Sequence, residues 1–74
     1  MKAFIEYRNE VIQAINVKPP EWRDGQAVFN YVYHNYGFAN ALVGTDKDCF
    51  YNDNNIEEFI KITYLLYKDP NLRL

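Results

Sequence analysis

The chain has 74 residues, 49% of them hydrophobic, and a net charge of -2, which together indicate one small globular domain over residues 1–74. This charge gives no basic surface for nucleic-acid binding, and no apolar run approaches the roughly 20 residues that span a bilayer, so no membrane association is expected. A single cysteine excludes an internal disulfide and favours a cytoplasmic protein, and the charged residues of MKAFIEYRNE are unlike a signal peptide.

The first predicted helix covers residues 3–16. Its expected buried face, read from helical spacing, consists of Phe4, Ile5, Arg8, Val11, Ile12 and Ile15. Its expected solvated face consists of Glu6, Asn9, Glu10 and Gln13. Pro19 and Pro20 end the helix because proline disfavours helical backbone in the residue before it.

An extended connector, residues 17–23, carries Trp22 and Arg23. Tryptophan and arginine are enriched where proteins contact partners. Trp22 could therefore anchor a partner, or it could close over the first two helices as a staple. The sequence leaves both interpretations open.

The second predicted helix begins at Asp24, the expected N-cap, and ends at Gly37. Its apolar stripe consists of Val28, Phe29, Tyr31, Val32, Tyr33 and Tyr36. The alternation over residues 28–33 is also compatible with a strand, because Val, Phe and Tyr favour strands. We predict a helix because the apolar spacing continues to Tyr36.

A loop follows a short helical segment over residues 38–43. Gly44 is the predicted helix stop, since glycine tolerates left-handed backbone. Asp46 and Asp48 are expected to accept backbone hydrogen bonds that hold the loop. Phe50 is expected to fill the core, whereas Tyr51 could point inward or outward.

The last predicted helix runs from about Asn55 to Lys68, after a capping box formed by Asn54 and Glu57. Its apolar face consists of Ile56, Phe59, Ile60, Thr63 and Tyr67, broadened by Ile62, Leu65 and Leu66. Residues 71–74 are expected to form a loose tail. The sequence therefore predicts an all-α domain of three to four helices with an acidic and aromatic loop before the last helix.

Two motifs, GQAVFN at residues 25–30 and GTDKDCFY at residues 44–51, resemble the pattern of a family of small bacterial and phage proteins. That pattern is G-Q-A-x-F-N early in a helix, then G-T-D-x-D-P-F-Y-x-D, then a final helix with a phenylalanine, here Phe59. The resemblance covers residues 23–60, with two departures: Cys49 replaces the usual proline, and the spacing of the last acidic residue is loose at Asn52-Asp53. It implies a shared fold and a phage or mobile-element setting, without an assigned activity.

The physical reading of these motif positions is structural. Gly25 opens the second helix, and Gln26 and Asn30 lie four residues apart on one of its faces. Their amides could bond the acidic loop to that helix. Buried polar groups are normally hydrogen-bonded, so a loop tied down in this way is the favoured interpretation.

No reaction class emerges from the sequence, so we predict no enzyme, cofactor or metal site. Cys49 and His34 could form a nucleophile and base, but the neighbouring carboxylates would raise the thiol pKa. Asp46, Asp48 and Glu57 match three positions of a calcium loop, but Tyr51 occupies the position that requires glycine. One cysteine and one histidine are too few for zinc.

The remaining prediction is a protein-binding factor, regulatory or inhibitory, from a phage or other mobile element. The candidate partner surface consists of Trp22, Arg23, Tyr31, Asp46, Asp48 and Tyr51. A homodimer through aromatic surface is an additional possibility, because self-association would enlarge a small core. The alternative function is single-stranded nucleic-acid binding by aromatic stacking, which the sparse and interleaved cations disfavour.

Overall fold

Three helices form the framework of the computed structural model, which describes residues 1–72. They are α1 (Phe4–Val17), α2 (Asp24–Asn35) and α3 (Ile56–Lys68), with two 3₁₀ turns, Ala39–Leu42 and Asp53–Asn55, between α2 and α3. No strand occurs within residues 1–72, so the all-α prediction is confirmed and the strand alternative for residues 28–33 is wrong. The predicted fourth helix is only the first 3₁₀ turn.

One hydrophobic core joins the three helices to the loop between α2 and α3. Its buried members are Tyr7, Val11, Val28, Phe29, Val32, Ala39, Leu42, Cys49, Phe59 and Ile60. Each helix contributes a stripe, and the loop contributes Cys49. The loop is therefore part of the core and not a separate surface segment.

The buried face of α1 differs from the predicted face. The buried residues are Tyr7, Val11 and Ala14, whereas Ile5 is 58% exposed. The Tyr7 hydroxyl donates a 2.7 Å hydrogen bond to Thr63 Oγ1 of α3, so its polar end is satisfied inside the core. Arg8 lies at the edge of the buried face of α1 and donates two hydrogen bonds to Glu57. This pairing explains how a charged residue can lie within the predicted apolar stripe.

The start of α2 is capped from elsewhere in the chain. The predicted N-cap, Asp24, is wrong: the helix begins at Asp24, and Arg23 holds the capping position without a side-chain hydrogen bond. Asp53 instead accepts a 2.9 Å hydrogen bond from the Gly25 backbone N–H. The helix ends at Asn35, and the predicted stop, Gly37, follows after Tyr36 with a left-handed φ of 81°.

The start of α3 also differs from the prediction. The Asn54–Glu57 capping box is wrong, because Asn52 accepts the hydrogen bond of the Asn54 N–H and Glu57 pairs with Arg8. The preceding 3₁₀ turn, Asp53–Asn55, takes the place of a side-chain cap at the helix start. Its tight geometry directs Asp53 towards α2.

The chain beyond α3 continues as a turn. The Asn71 N–H donates to Asp69 Oδ1 and the Leu72 N–H to Asp69 O, so these two residues of the predicted loose tail are hydrogen-bonded. The remaining two tail residues, 73 and 74, lie outside the described part of the chain. Within residues 1–72, no helix combines the length and apolar character needed to cross a membrane.

Candidate functional site

The loop between Gly44 and Asn55 docks on the first turn of α2 at Gly25. Besides the Asp53 hydrogen bond, the Cys49 thiol donates to Gly25 O over 3.2 Å. A Cβ placed on Gly25 would lie 2.0 Å from Cys49 O, far inside van der Waals contact. Only glycine fits here, which explains why a glycine begins the GQAVFN motif.

The loop is held internally by one carboxylate, Asp48. Its Oδ2 accepts from the Gly44 N–H at 3.0 Å and its Oδ1 from the Phe50 N–H at 2.9 Å. Gly44 has a φ of 78°, the left-handed backbone that the predicted helix stop requires. Asp46 is exposed and accepts no hydrogen bond from residues 1–72, so the predicted pinning role belongs to Asp48 alone.

The two aromatic residues of the loop point in opposite directions. Phe50 is half-buried and packs edge-on against the core residue Phe29, with ring centroids 5.4 Å apart. Tyr51 is 77% exposed, and its ring lies beside the ring of Phe50 and near the guanidinium of Arg23, whose Cζ lies 5.9 Å from the ring centroid. Phe50 therefore fixes the loop and Tyr51 is presented outward.

We call Arg23, Phe50 and Tyr51 together the Arg23–Tyr51 patch. Arg23 has no carboxylate oxygen within 4.0 Å among residues 1–72, unlike most cations of that range. The cations that do pair are Lys2, Arg8, Lys18, Lys47 and Lys61. The patch thus combines an exposed ring with a cation that has no carboxylate within 4.0 Å among residues 1–72.

The other predicted partner-surface residues lie elsewhere. Trp22 and Tyr31 are half-buried and line a cleft of about 220 Å³ between α1 and α2, together with Ala14 and Ala27. Asp46 lines a separate cavity of about 530 Å³ with Leu42 and other apolar residues. The structure therefore places Arg23 beside Tyr51 and puts Trp22 and Tyr31 in one cleft, while Asp48 faces its own loop.

A polar network at the α1–α2 contact was not predicted. Glu10 accepts hydrogen bonds from Tyr31 and Tyr36 and pairs with Lys2. Burial alone would raise the pKa of Glu10, but the hydrogen bonds from Lys2, Tyr31 and Tyr36 hold that pKa below its usual value. Burial and the bond to Glu10 raise the pKa of Tyr31 to about 12.

This network corrects the predicted solvated face of α1. Glu10 is half-buried, and its position three residues after the buried Tyr7 is the sequence signal that could have placed it there. Tyr31, expected at the partner surface, donates the hydrogen bond of its hydroxyl to this carboxylate.

The expected hydrogen bonds between the acidic loop and the amides of Gln26 and Asn30 are not formed. These two residues make no side-chain hydrogen bond within residues 1–72, and Asp53 bonds the loop to α2 instead.

Cys49 is a core side chain. Its thiol is fully buried, and burial, aided by the charge of Asp48, raises its pKa to about 12. A protonated, enclosed thiol is a poor nucleophile. Among residues 1–72, no three His, Cys, Asp or Glu side chains are close enough together to hold a metal ion.

The raised pKa of Cys49 predicts weaker stability in alkali. The native thiol keeps its proton between the unfolded pKa near 9 and the folded pKa of about 12, whereas the unfolded thiol loses it. The protonated Cys49 thiol makes its full contribution to the free energy of unfolding well below pH 9. This contribution is lost as the pH rises towards 12, and about 1 kcal/mol of it is lost between pH 8 and pH 10. Urea unfolding at these two pH values should show this loss, and Cys49→Ala should show a smaller one. An equal loss in both proteins would contradict a buried neutral thiol.

Removal of the cap on α2 is expected to destabilise the protein. Asp53→Ala leaves the Gly25 N–H without its acceptor, which should lower the free energy of unfolding by about 1 kcal/mol. Asp46→Ala is the matched control, because it removes the same carboxylate from the same loop without breaking a hydrogen bond within residues 1–72. Urea unfolding measures both variants. Equal effects would show that Asp53 is not the cap.

Comparison with known proteins adds no information on this site. A scan against protein-family models, a search of curated proteins and a search of solved structures found no match to the chain. The resemblance of the two motifs to small bacterial and phage proteins therefore stays a prediction.

Proposed function

We propose that this protein acts by binding another protein through the Arg23–Tyr51 patch. The observation that carries the proposal is the exposure of Tyr51, 77%, on a loop whose backbone is fixed to the core. Tyrosine and arginine supply much of the binding energy at protein interfaces. An exposed aromatic ring held by a folded loop loses little conformational entropy on binding.

The loop supports this proposal by its rigidity. Asp48 bonds two loop N–H groups, Asp53 and Cys49 bond Gly25, and Phe50 is packed on Phe29. None of these contacts needs Tyr51 to be aromatic or large. The fold therefore does not require a large aromatic side chain at Tyr51, which leaves this side chain available to contact a partner.

A regulatory or inhibitory action on a cytoplasmic bacterial protein is the form of binding that we propose. The support is the resemblance of the GQAVFN and GTDKDCFY motifs to small phage and bacterial proteins. A chain of 74 residues without a recognisable reaction centre is suited to acting by occupying a surface of a larger protein.

The test is affinity capture from a bacterial extract with matched variants. The immobilised wild-type protein should retain one protein in stoichiometric amount, and Tyr51→Ala should reduce that amount at least about tenfold, the loss of a central interface aromatic. Tyr51→Phe, which keeps the ring, and Leu65→Ala, which removes a 46%-exposed side chain on α3, should leave it unchanged.

The folded state of each variant is checked by circular dichroism before capture. Tyr51 makes no hydrogen bond within residues 1–72 and is exposed, so Tyr51→Ala should fold normally. Capture that is equal with wild type and Tyr51→Ala would overturn the proposed surface. Capture of nothing in stoichiometric amount would overturn the proposed function.

A further inference from the structure

We propose that the Arg23–Tyr51 patch recognises an acidic peptide segment of its partner. The guanidinium of Arg23 would bind an Asp or Glu carboxylate, and a neighbouring apolar side chain of the segment would pack on the ring of Tyr51. This inference rests on the proposed function and adds the chemistry of the partner.

The first support is the missing acid beside Arg23. Five of the cations in residues 1–72 have a carboxylate within 4.0 Å. Lys68 covers the ring of Tyr64. Arg23 is exposed, and Asp24, the acid next to it in sequence, pairs with Lys18 at 3.7 Å. A partner that covers Arg23 must supply an acceptor, because an arginine desolvated without one is costly.

The second support is the position of the guanidinium. Its Cζ lies 5.9 Å from the centroid of the Tyr51 ring, and no carboxylate of residues 1–72 lies within 4.0 Å of it, so its N–H groups can bind a carboxylate beside that ring. A planar guanidinium matches a carboxylate in a two-bond arrangement that a lysine cannot reproduce. The patch is therefore preorganised for a carboxylate with an apolar group beside it.

The charges around the patch favour a peptide over a nucleic acid. Arg23 is followed by Asp24, and Tyr51 is followed two residues later by Asp53, while the whole chain has a net charge of -2. A nucleic-acid strand brings one phosphate with each nucleotide, so most of its phosphates would meet this acidic surface. A peptide brings one or two carboxylates to the single cation, which the surface can accept.

The experiment is a selection that does not require the natural partner. A random peptide library displayed on phage is panned against immobilised wild-type protein, Arg23→Glu and Tyr51→Ala. Wild type should select peptides enriched in Asp or Glu next to an apolar residue, Tyr51→Ala should lose them, and Arg23→Glu should select Lys or Arg instead. The best acidic peptide, synthesised, should bind Arg23→Gln at least about tenfold more weakly, the effect of losing one interface ion pair.

One further variant, Arg23→Lys, and one oligonucleotide complete the test. Arg23→Lys keeps the positive charge but not the planar guanidinium. Its affinity for the peptide should therefore lie between the affinities of wild type and Arg23→Gln. Peptides that depend on Tyr51 but carry no acidic enrichment would overturn this inference and leave the proposed function standing. Failure to select any Tyr51-dependent peptide would overturn it too, and the capture experiment above would then decide the proposed function separately. Binding of single-stranded oligothymidine that both Arg23→Gln and Tyr51→Ala abolish would show a nucleic-acid site instead.

Discussion

Gly25→Ala is expected to lower the free energy of unfolding by about 3 kcal/mol or more, at the upper end of overpacking effects. The new Cβ would lie 2.0 Å from Cys49 O and 3.1 Å from Cys49 C, and both are backbone atoms that cannot rotate away. The loop would have to leave α2, which would break the Asp53 and Cys49 hydrogen bonds to Gly25. The melting temperature should fall by more than about 10 °C for a domain of this size.

The sign of this effect separates tertiary contact from helix propensity. Gly25 lies in the first turn of α2, where alanine would by propensity stabilise a helix by up to about 1 kcal/mol. Gly37→Ala is the control, because Gly37 has a φ of 81° and no atom within 4 Å of a built Cβ. It should cost only about 1 kcal/mol of backbone strain. A Gly25→Ala protein as stable as wild type would show that the loop does not dock on α2 as described.

Tyr7→Ala is expected to lower the free energy of unfolding by about 4 kcal/mol, the usual range for a buried aromatic side chain. Tyr7 is fully buried, and its ring lies 5.3 Å from that of Tyr36, 5.4 Å from Tyr64 and 5.7 Å from Tyr67. Since a domain of this length has a total stability of about 4–11 kcal/mol, this loss would remove about a third of it or more. Circular dichroism and urea unfolding measure the loss.

Two control variants test which part of Tyr7 matters and whether the α1 face is assigned correctly. Tyr7→Phe keeps the ring and removes only the hydrogen bond to Thr63, so it should cost about 1 kcal/mol. Ile5→Ala truncates the residue that helical spacing placed in the core but that is 58% exposed, and it should cost less than about 1 kcal/mol. If Ile5→Ala were as harmful as Tyr7→Ala, the assigned face of α1 would be wrong.

Local sequence chemistry was sufficient for the fold class and for the helix boundaries to within about two residues. The two prolines after α1, Gly37 after α2 and the apolar spacing of α3 each act within a few residues, so their effects can be read without the fold. The left-handed Gly44 is of the same kind. Phe50 as an inward residue followed from its size and its position in a loop that must reach the core.

The missed features all depend on residues distant in sequence. Tyr7 replaced Ile5 in the core because its hydroxyl finds Thr63, 56 residues later, and a tyrosine without such a partner would face solvent. Asp53 replaced Asp24 as the cap of α2 because a 3₁₀ turn directs it there from 28 residues away. Periodicity and capping rules contain no information on such partners.

The candidate site also combines features that the local sequence predicts with features that depend on tertiary contacts. The residue types alone marked the stretch from Gly44 to Phe59 as aromatic and acidic. They also proposed one partner surface, consisting of Trp22, Arg23, Tyr31, Asp46, Asp48 and Tyr51. The folded chain separated Trp22 and Tyr31 into the α1–α2 cleft and placed Arg23 over Tyr51. Sequence determined which side chains were able to bind a partner, because that ability is a property of the residue type. Only the tertiary structure decided which of them are exposed side by side, because exposure depends on what the rest of the chain packs against.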